Sequence, residues 1–184
     1  MTHHKYIYIV LTDTGTLLNR LIRLYTGDLL NHASLSLDAG LQHVYSFGRK
    51  DQRNPWLGGF VRENMRGDLM RRAQCAVYQI RVTARQYDHL KSIIRAFEQN
   101  EHQYSFNLLG LIGVACGIPL KRKHKFFCSE FVAHVLSRAG IEAVDKPTGL
   151  VRPCDFAKSP ALKPVYEGPV LDYLESGRSV ECVS

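Results

Sequence analysis

The sequence predicts an α+β fold that combines strands, a hairpin among them, with amphipathic helices in one unit. Three observations predict it. Runs rich in β-branched and aromatic residues at 6–11, 42–47 and 75–82 read as strands, and so does a run of small residues at 32–38 with Leu35 and Leu37 on one face. Two other stretches, 87–97 and 128–139, place apolar residues at i, i+3 and i+4 and read as helices. Finally, no repeat or low-complexity tract divides the 184 residues, so one domain over 1–184 is expected.

Each element follows in order. The strand at 6–11 leads into a turn at 12–15, whose threonines can cap a short helix marked by Leu17, Leu18, Leu21, Leu24 and Tyr25. Gly27 ends that helix. Leu35 and Leu37 then fall on one face of a strand, and the turn at 38–41 returns the chain along 42–47 as a hairpin. Residues 48–72 are rich in Gly, Asn and Arg, hold the only tryptophan (Trp56), and read as a long flap-like loop. After the strand at 75–82, Thr83 and Gln86 have capping-box spacing ahead of the stripe Tyr87, Leu90, Ile93, Ile94 and Phe97. A mostly buried helix is expected over 108–116. Cys128, Phe131, Val132, Val135, Leu136 and Ala139 form the stripe of the next, which Gly140 ends. From about residue 145 a proline-containing tail wraps the unit.

Composition narrows the function classes. With 45% hydrophobic and 22% charged residues, the chain resembles an ordinary globular protein. Its apolar runs are too short to span a bilayer, and the start lacks the pattern of a secretory signal, so a cytoplasmic location is the expectation. The net charge of +7 comes with basic clusters at 49–50, 71–72 and 121–125. No zinc-finger, RNP-type or helix-turn-helix pattern accompanies them, so no nucleic acid is expected; a solvated basic surface is the leading reading, and weak contact with an anionic membrane is the alternative. No obligate protein partner is evident. Five cysteines without a CxxC suggest neither a zinc site nor a disulfide framework.

Among those five, Cys128 has a distinctive setting. It opens an amphipathic helix behind a basic run, and both the unpaired N–H groups of a helix start and nearby cations favour a thiolate. A buried structural thiol is the alternative. A nucleophilic thiolate also needs a base to form and aim it. Of the eight histidines, His3 and His4 lie at the terminus, His89, His102 and His134 on polar helix sides or in a connector, and His124 in the basic loop. His32 opens a strand beside the small residues Ala33 and Ser34, which leave room for a helix end or a substrate. That makes His32 the leading partner, with a core or turn histidine as the alternative.

These residues carry a family resemblance. NHASLSLD (31–38) and FFCSEFV (126–132) resemble the histidine strand and the cysteine helix start of permuted NlpC/p60-type, papain-like cysteine hydrolases. The subgroup is the YiiX/YebB-like one, with lecithin–retinol acyltransferase-like proteins as more distant relatives. The helix at 17–26, VYSFGR (44–49), DKP (145–147) and LVRPCDF (150–156) fit the same order, so the match spans about residues 6–157. The resemblance implies a permuted papain-like fold with a small sheet or half-barrel on the cysteine helix. Cys128 would be the nucleophile, His32 the base, and the Cys128 N–H an oxyanion donor, acting through a thioester without metal or cofactor.

A third catalytic residue, which holds the imidazole, lies in such relatives on the strand after the histidine strand. Here Gln42, His43 and Ser46 are the options. A three-residue turn would set Ser46 across from His32, and a two-residue turn would bring His43 to that face. Tyr6, Tyr8 and Tyr45 could line the cleft, with core packing as the alternative. Arg49 and Arg53 could bind a substrate carboxylate, with a solvated surface charge as the favoured alternative. Glu130 points away from Cys128 and reads as a partner of the helix dipole. Three functions follow: an amidase or peptidase acting on a small cell-wall-type peptide, an acyltransferase or hydrolase of acyl esters or lipid amides, and a non-catalytic binding module retaining the fold.

Overall fold

The computed structural model describes residues 4–13, 30–49, 58–120 and 122–176. The helix expected over 17–26, Trp56, Arg53 and the centre of the expected flap lie outside these residues. Where the sequence alternates, the chain builds strands β1 (His4–Asp13), β2 (His32–Ser36), β3 (Val44–Arg49), β4 (Gly58–Glu63) and β5 (Gln74–Thr83). With β8 (Lys163–Pro169) they form one six-stranded sheet in the order β4-β3-β2-β1-β5-β8, while β6 (Ser105–Phe106) and β7 (Lys125–Phe126) make a short parallel pair. Every neighbouring pair in it is antiparallel. The fold is therefore α+β, as its patterning predicts, and it is built as an antiparallel sheet packed against helices.

Alternation along the central strand β1 feeds two cores. Ile7, Ile9 and Leu11 face one way, with Ala33, Leu35 and Phe47 of the adjoining strands. Helices α2 (Ala84–Gln99) and α4 (Cys128–Arg138) cover that face through Leu90, Ile94, Phe97, Phe131, Val132, Val135 and Leu136. Phe131, Val132 and Val135 are fully buried, and removing such side chains from water stabilises the fold by about 1.5–3 kcal/mol each. On the other face Tyr8, Val10, Val44, Cys75 and Val77 meet Met70 of α1 (Asp68–Arg71) and Val170 and Tyr173 of α6 (Val170–Glu175).

Local signals explain the boundaries. The Thr83 hydroxyl accepts from the Gln86 N–H, and the Gln86 side chain accepts from the Thr83 N–H, so both halves of the capping box are present. Gly140, at φ 71°, ends α4 in the left-handed region that glycine adopts without strain. Three expectations need correction. Residues 48–72 are not simply a flap, because β3 runs through Arg49 and both β4 and α1 lie within that stretch. The tail does more than wrap: it forms α5 (Pro153–Ala157), supplies β8 as the strand beside β5, and ends in α6. Helix α3 (Leu108–Cys116) forms where expected, yet Leu108, Leu109 and Ile112 are exposed on it.

Candidate active site

Cys128 is the first residue of α4, and α4 packs on β2 and β3. Three anchors fix that helix start. Ser129 donates from its hydroxyl to the Val151 carbonyl at 2.7 Å. Glu130 turns back to accept from the Phe127 N–H at 3.4 Å and from Asn107 Nδ2 at 3.3 Å. Asn107 is wholly buried and also caps α3 through the Gly110 N–H at 3.0 Å. Glu130 thus serves the helix terminus, as its position two residues after the cysteine suggested.

His32 opens β2, with Thr12 of β1 as its cross-strand neighbour. Its Nε2 lies 2.6 Å from Glu63 Oε1, at the end of β4. The same carboxylate accepts a short hydrogen bond from the Ser46 hydroxyl on Oε1 and one from Ser34 at 3.0 Å on Oε2. Because Glu63 occupies Nε2, Nδ1 is the ring nitrogen left for the thiol. Ser34, Ser46 and Glu63 come from three adjacent strands and hold a carboxylate that sequence reasoning missed.

The electrostatics of the three groups are coupled. Burial favours the neutral form of Glu63, but the charge and hydrogen bond of His32, with the hydroxyls of Ser46 and Ser34, outweigh it and hold the carboxyl below its ordinary range. Burial also opposes charge on His32. The Glu63 carboxylate and a hydrogen-bonding interaction with Cys128 reverse that, and its pKa rises well above the usual 6.5. Burial pushes the Cys128 thiol up; interaction with His32 and backbone hydrogen bonds from Ala33 and Ser129 bring it below its ordinary value. All three shifts favour a thiolate, an imidazolium and a carboxylate side by side.

The remaining expected residues divide clearly. Ser46 belongs to the site, as a donor to Glu63 rather than as the residue that orients His32. His43 lies outside it, exposed and 3.1 Å from Asp38. The hairpin connection is longer than either short turn: the Leu37 N–H donates to the His43 carbonyl, and the Asp38 carboxylate accepts from the N–H groups of Gln42 and His43. Register then pairs Leu35 with Tyr45, and its continuation sets Ser46 opposite Ser34. Tyr45 is buried in the helix-side core, stacked on Phe60 with ring centroids 5.9 Å apart. Tyr6 is exposed and stands six residues along β1 from Thr12, roughly 20 Å from His32 at strand rise. Arg49 closes β3, and its side chain lies outside the described residues.

Glu63 left a faint trace in sequence. Phe60 and Val61 form a short β-prone pair behind two glycines, and a third strand of the meander at that spacing would end on a carboxylate. Among the described residues no three His, Cys, Asp or Glu side chains converge as metal ligands. No helix among them is long and apolar enough to cross a membrane. Compared with known protein families, curated proteins and solved structures, the chain matches none.

Proposed function

We propose that this chain is a cysteine hydrolase that cleaves an amide bond of a small peptide through a thioester. What supports the reading is the connected set Cys128–His32–Glu63, in which a helix-start thiol faces a histidine held by a buried carboxylate. In this reaction the Cys128 thiolate attacks the carbonyl carbon, and the first N–H groups of α4, which have no partner within the helix, stabilise the oxyanion. The His32 imidazolium gives its proton to the departing amine as the C–N bond breaks. Water then attacks the thioester, His32 takes its proton, and thiolate and carboxylic acid are released. Glu63 keeps the imidazole oriented and favours its charged form throughout.

The order of the motifs, histidine strand before cysteine helix, is the one implied by the resemblance to permuted NlpC/p60-type hydrolases, and it supports a cell-wall-type peptide as substrate. A second reading moves the same nucleophile onto an acyl ester or lipid amide; the exposed apolar side chains of α3, the helix that precedes the cysteine helix in the chain, favour it. Alkylation by iodoacetamide at neutral pH tests the shared step. Cys128 is expected to react faster than the other four cysteines, resolved by peptide mass spectrometry, and equal reactivity would refute an activated nucleophile. Release of amine from a γ-glutamyl dipeptide panel against release of fatty acid from a short-chain ester separates the two substrates.

A further inference from the structure

Of the six large apolar side chains exposed among the described residues, five lie between Leu108 and Leu120. Leu108, Leu109 and Ile112 share one face of α3 by their spacing. Ile118 and Leu120 belong to the segment that turns back at Gly117, where the Ile118 N–H bonds to the Gly113 carbonyl at 2.8 Å. At Gly113 a side chain would collide with the Ile118 carbonyl and Leu120, so the returning segment lies directly along the helix. The exposed side chains therefore lie on α3 and on the segment packed along it, with Ile112 and Ile118 55% and 56% exposed. A cluster of exposed large apolar side chains on a globular protein marks a contact site.

Its neighbour in the chain is basic. Arg122, Lys123 and Lys125 follow within five residues of Leu120, and none of them pairs with a carboxylate among the described residues. Lysines and arginines bordering an apolar helix face match the chemistry of an anionic lipid surface, with headgroups for the cations and acyl chains for the leucines and isoleucines. We propose that α3, Ile118, Leu120, Arg122, Lys123 and Lys125 form a docking face for an anionic membrane surface. The face is fixed relative to the cysteine helix, because Asn107 caps α3 and bonds Glu130, while its N–H donates to the Phe126 carbonyl at 3.0 Å. Docking would therefore carry Cys128 to the interface, although the binding itself does not depend on whether Cys128 is a nucleophile.

Co-sedimentation of the full chain with vesicles tests this. Vesicles of phosphatidylcholine with 30% phosphatidylglycerol are compared with phosphatidylcholine alone, at low and high salt. Binding is expected to the anionic vesicles, to weaken with salt, and to fall about fivefold for each basic residue reversed, as in Lys123→Glu. The exposed pair Leu109→Glu and Ile112→Glu should lower binding at least about tenfold. The same double variant should keep the wild-type rate of Cys128 alkylation without vesicles, which shows that the fold and the cysteine site are intact. Absence of binding to anionic vesicles, or equal binding to both vesicle types, would overturn the proposal. So would self-association of the chain that the double variant abolishes in the absence of lipid, since the face would then join two copies.

Discussion

Two buried cysteines in this chain have opposite chemistry. Cys75 sits in β5, 1% exposed, among Tyr8, Val10, Val77 and Met70, and burial alone pushes its thiol up to about 12. Cys128 is nearly as buried, 7% exposed, yet its pKa is lowered. The difference is one of partners rather than of exposure. Cys75 is the second residue of β5, set between β1 and β8, where Thr12 and Gly168 are its cross-strand partners. Cys128 lies where a helix begins, with His32 beside it and a carboxylate behind His32. Burial thus silences a thiol without a cation and sharpens the electrostatics of one that has it.

The contrast can be broken in stages. His32→Ala removes the cation and should return Cys128 toward the behaviour of Cys75. At pH 7 its alkylation is expected to fall by at least about 30-fold, the thiolate share left to a thiol of ordinary pKa near 8.5. Peptide-resolved labelling rates measure this directly. If the rate is unchanged, the pairing with His32 is without effect.

Glu63→Gln keeps a hydrogen-bonding group and deletes the charge. Cys128 alkylation at neutral pH is expected to drop by about tenfold, and the fold to lose about 3 kcal/mol in urea unfolding, because His32 is left buried against an uncharged partner. The sign of the pH dependence follows from the shifts. Glu63 is lowered in the folded state, so its contribution is complete above the ordinary carboxylate value of about 4.3 and disappears as pH falls through the lower folded value. His32 is raised, so its contribution is complete below about pH 6.5 and is lost as pH rises through its folded value. The stability gap between wild type and Glu63→Gln should therefore be widest between these limits and close toward acid.

Ser46→Ala withdraws one hydroxyl from Glu63 while Ser34 remains. A loss of about 2 kcal/mol in stability is expected, with about a threefold decrease in Cys128 labelling. His43→Ala should do least. Its exposed pair with Asp38 predicts a change within about 0.5 kcal/mol and no change in labelling, and a large effect there would mean that the hairpin, not Glu63, positions His32.

How much of this was legible in sequence depends on the range of the interactions. Cys128 and the stripe behind it are separated by three and four residues, so helix periodicity alone places the thiol at a helix start and turned inward. His32 was readable as a strand opening beside small residues. Glu63 was not, because it reaches His32 across an intervening strand, and its own strand is short and set in a Gly-, Asn- and Arg-rich stretch. Hairpin register failed for a related reason: Asp38 builds a longer connection by capping two backbone N–H groups, which short-turn rules do not anticipate. Helix α3 was read as buried from its apolar content. Content reports the preference of a face, while burial requires something to cover it.

If His32 and Glu63 hold Cys128 as a thiolate, the pH profile of its alkylation reports it. Iodoacetamide labelling followed from pH 5.5 to 9, with Cys116 as the exposed reference and Cys75 as the buried one, separates ionisation from access. Cys128 labelling is expected to level off at a lower pH than that of an ordinary thiol, while Cys75 stays unlabelled in the folded protein. A Cys128 rate that climbs about tenfold per pH unit up to pH 8, as for an ordinary thiol, would contradict it.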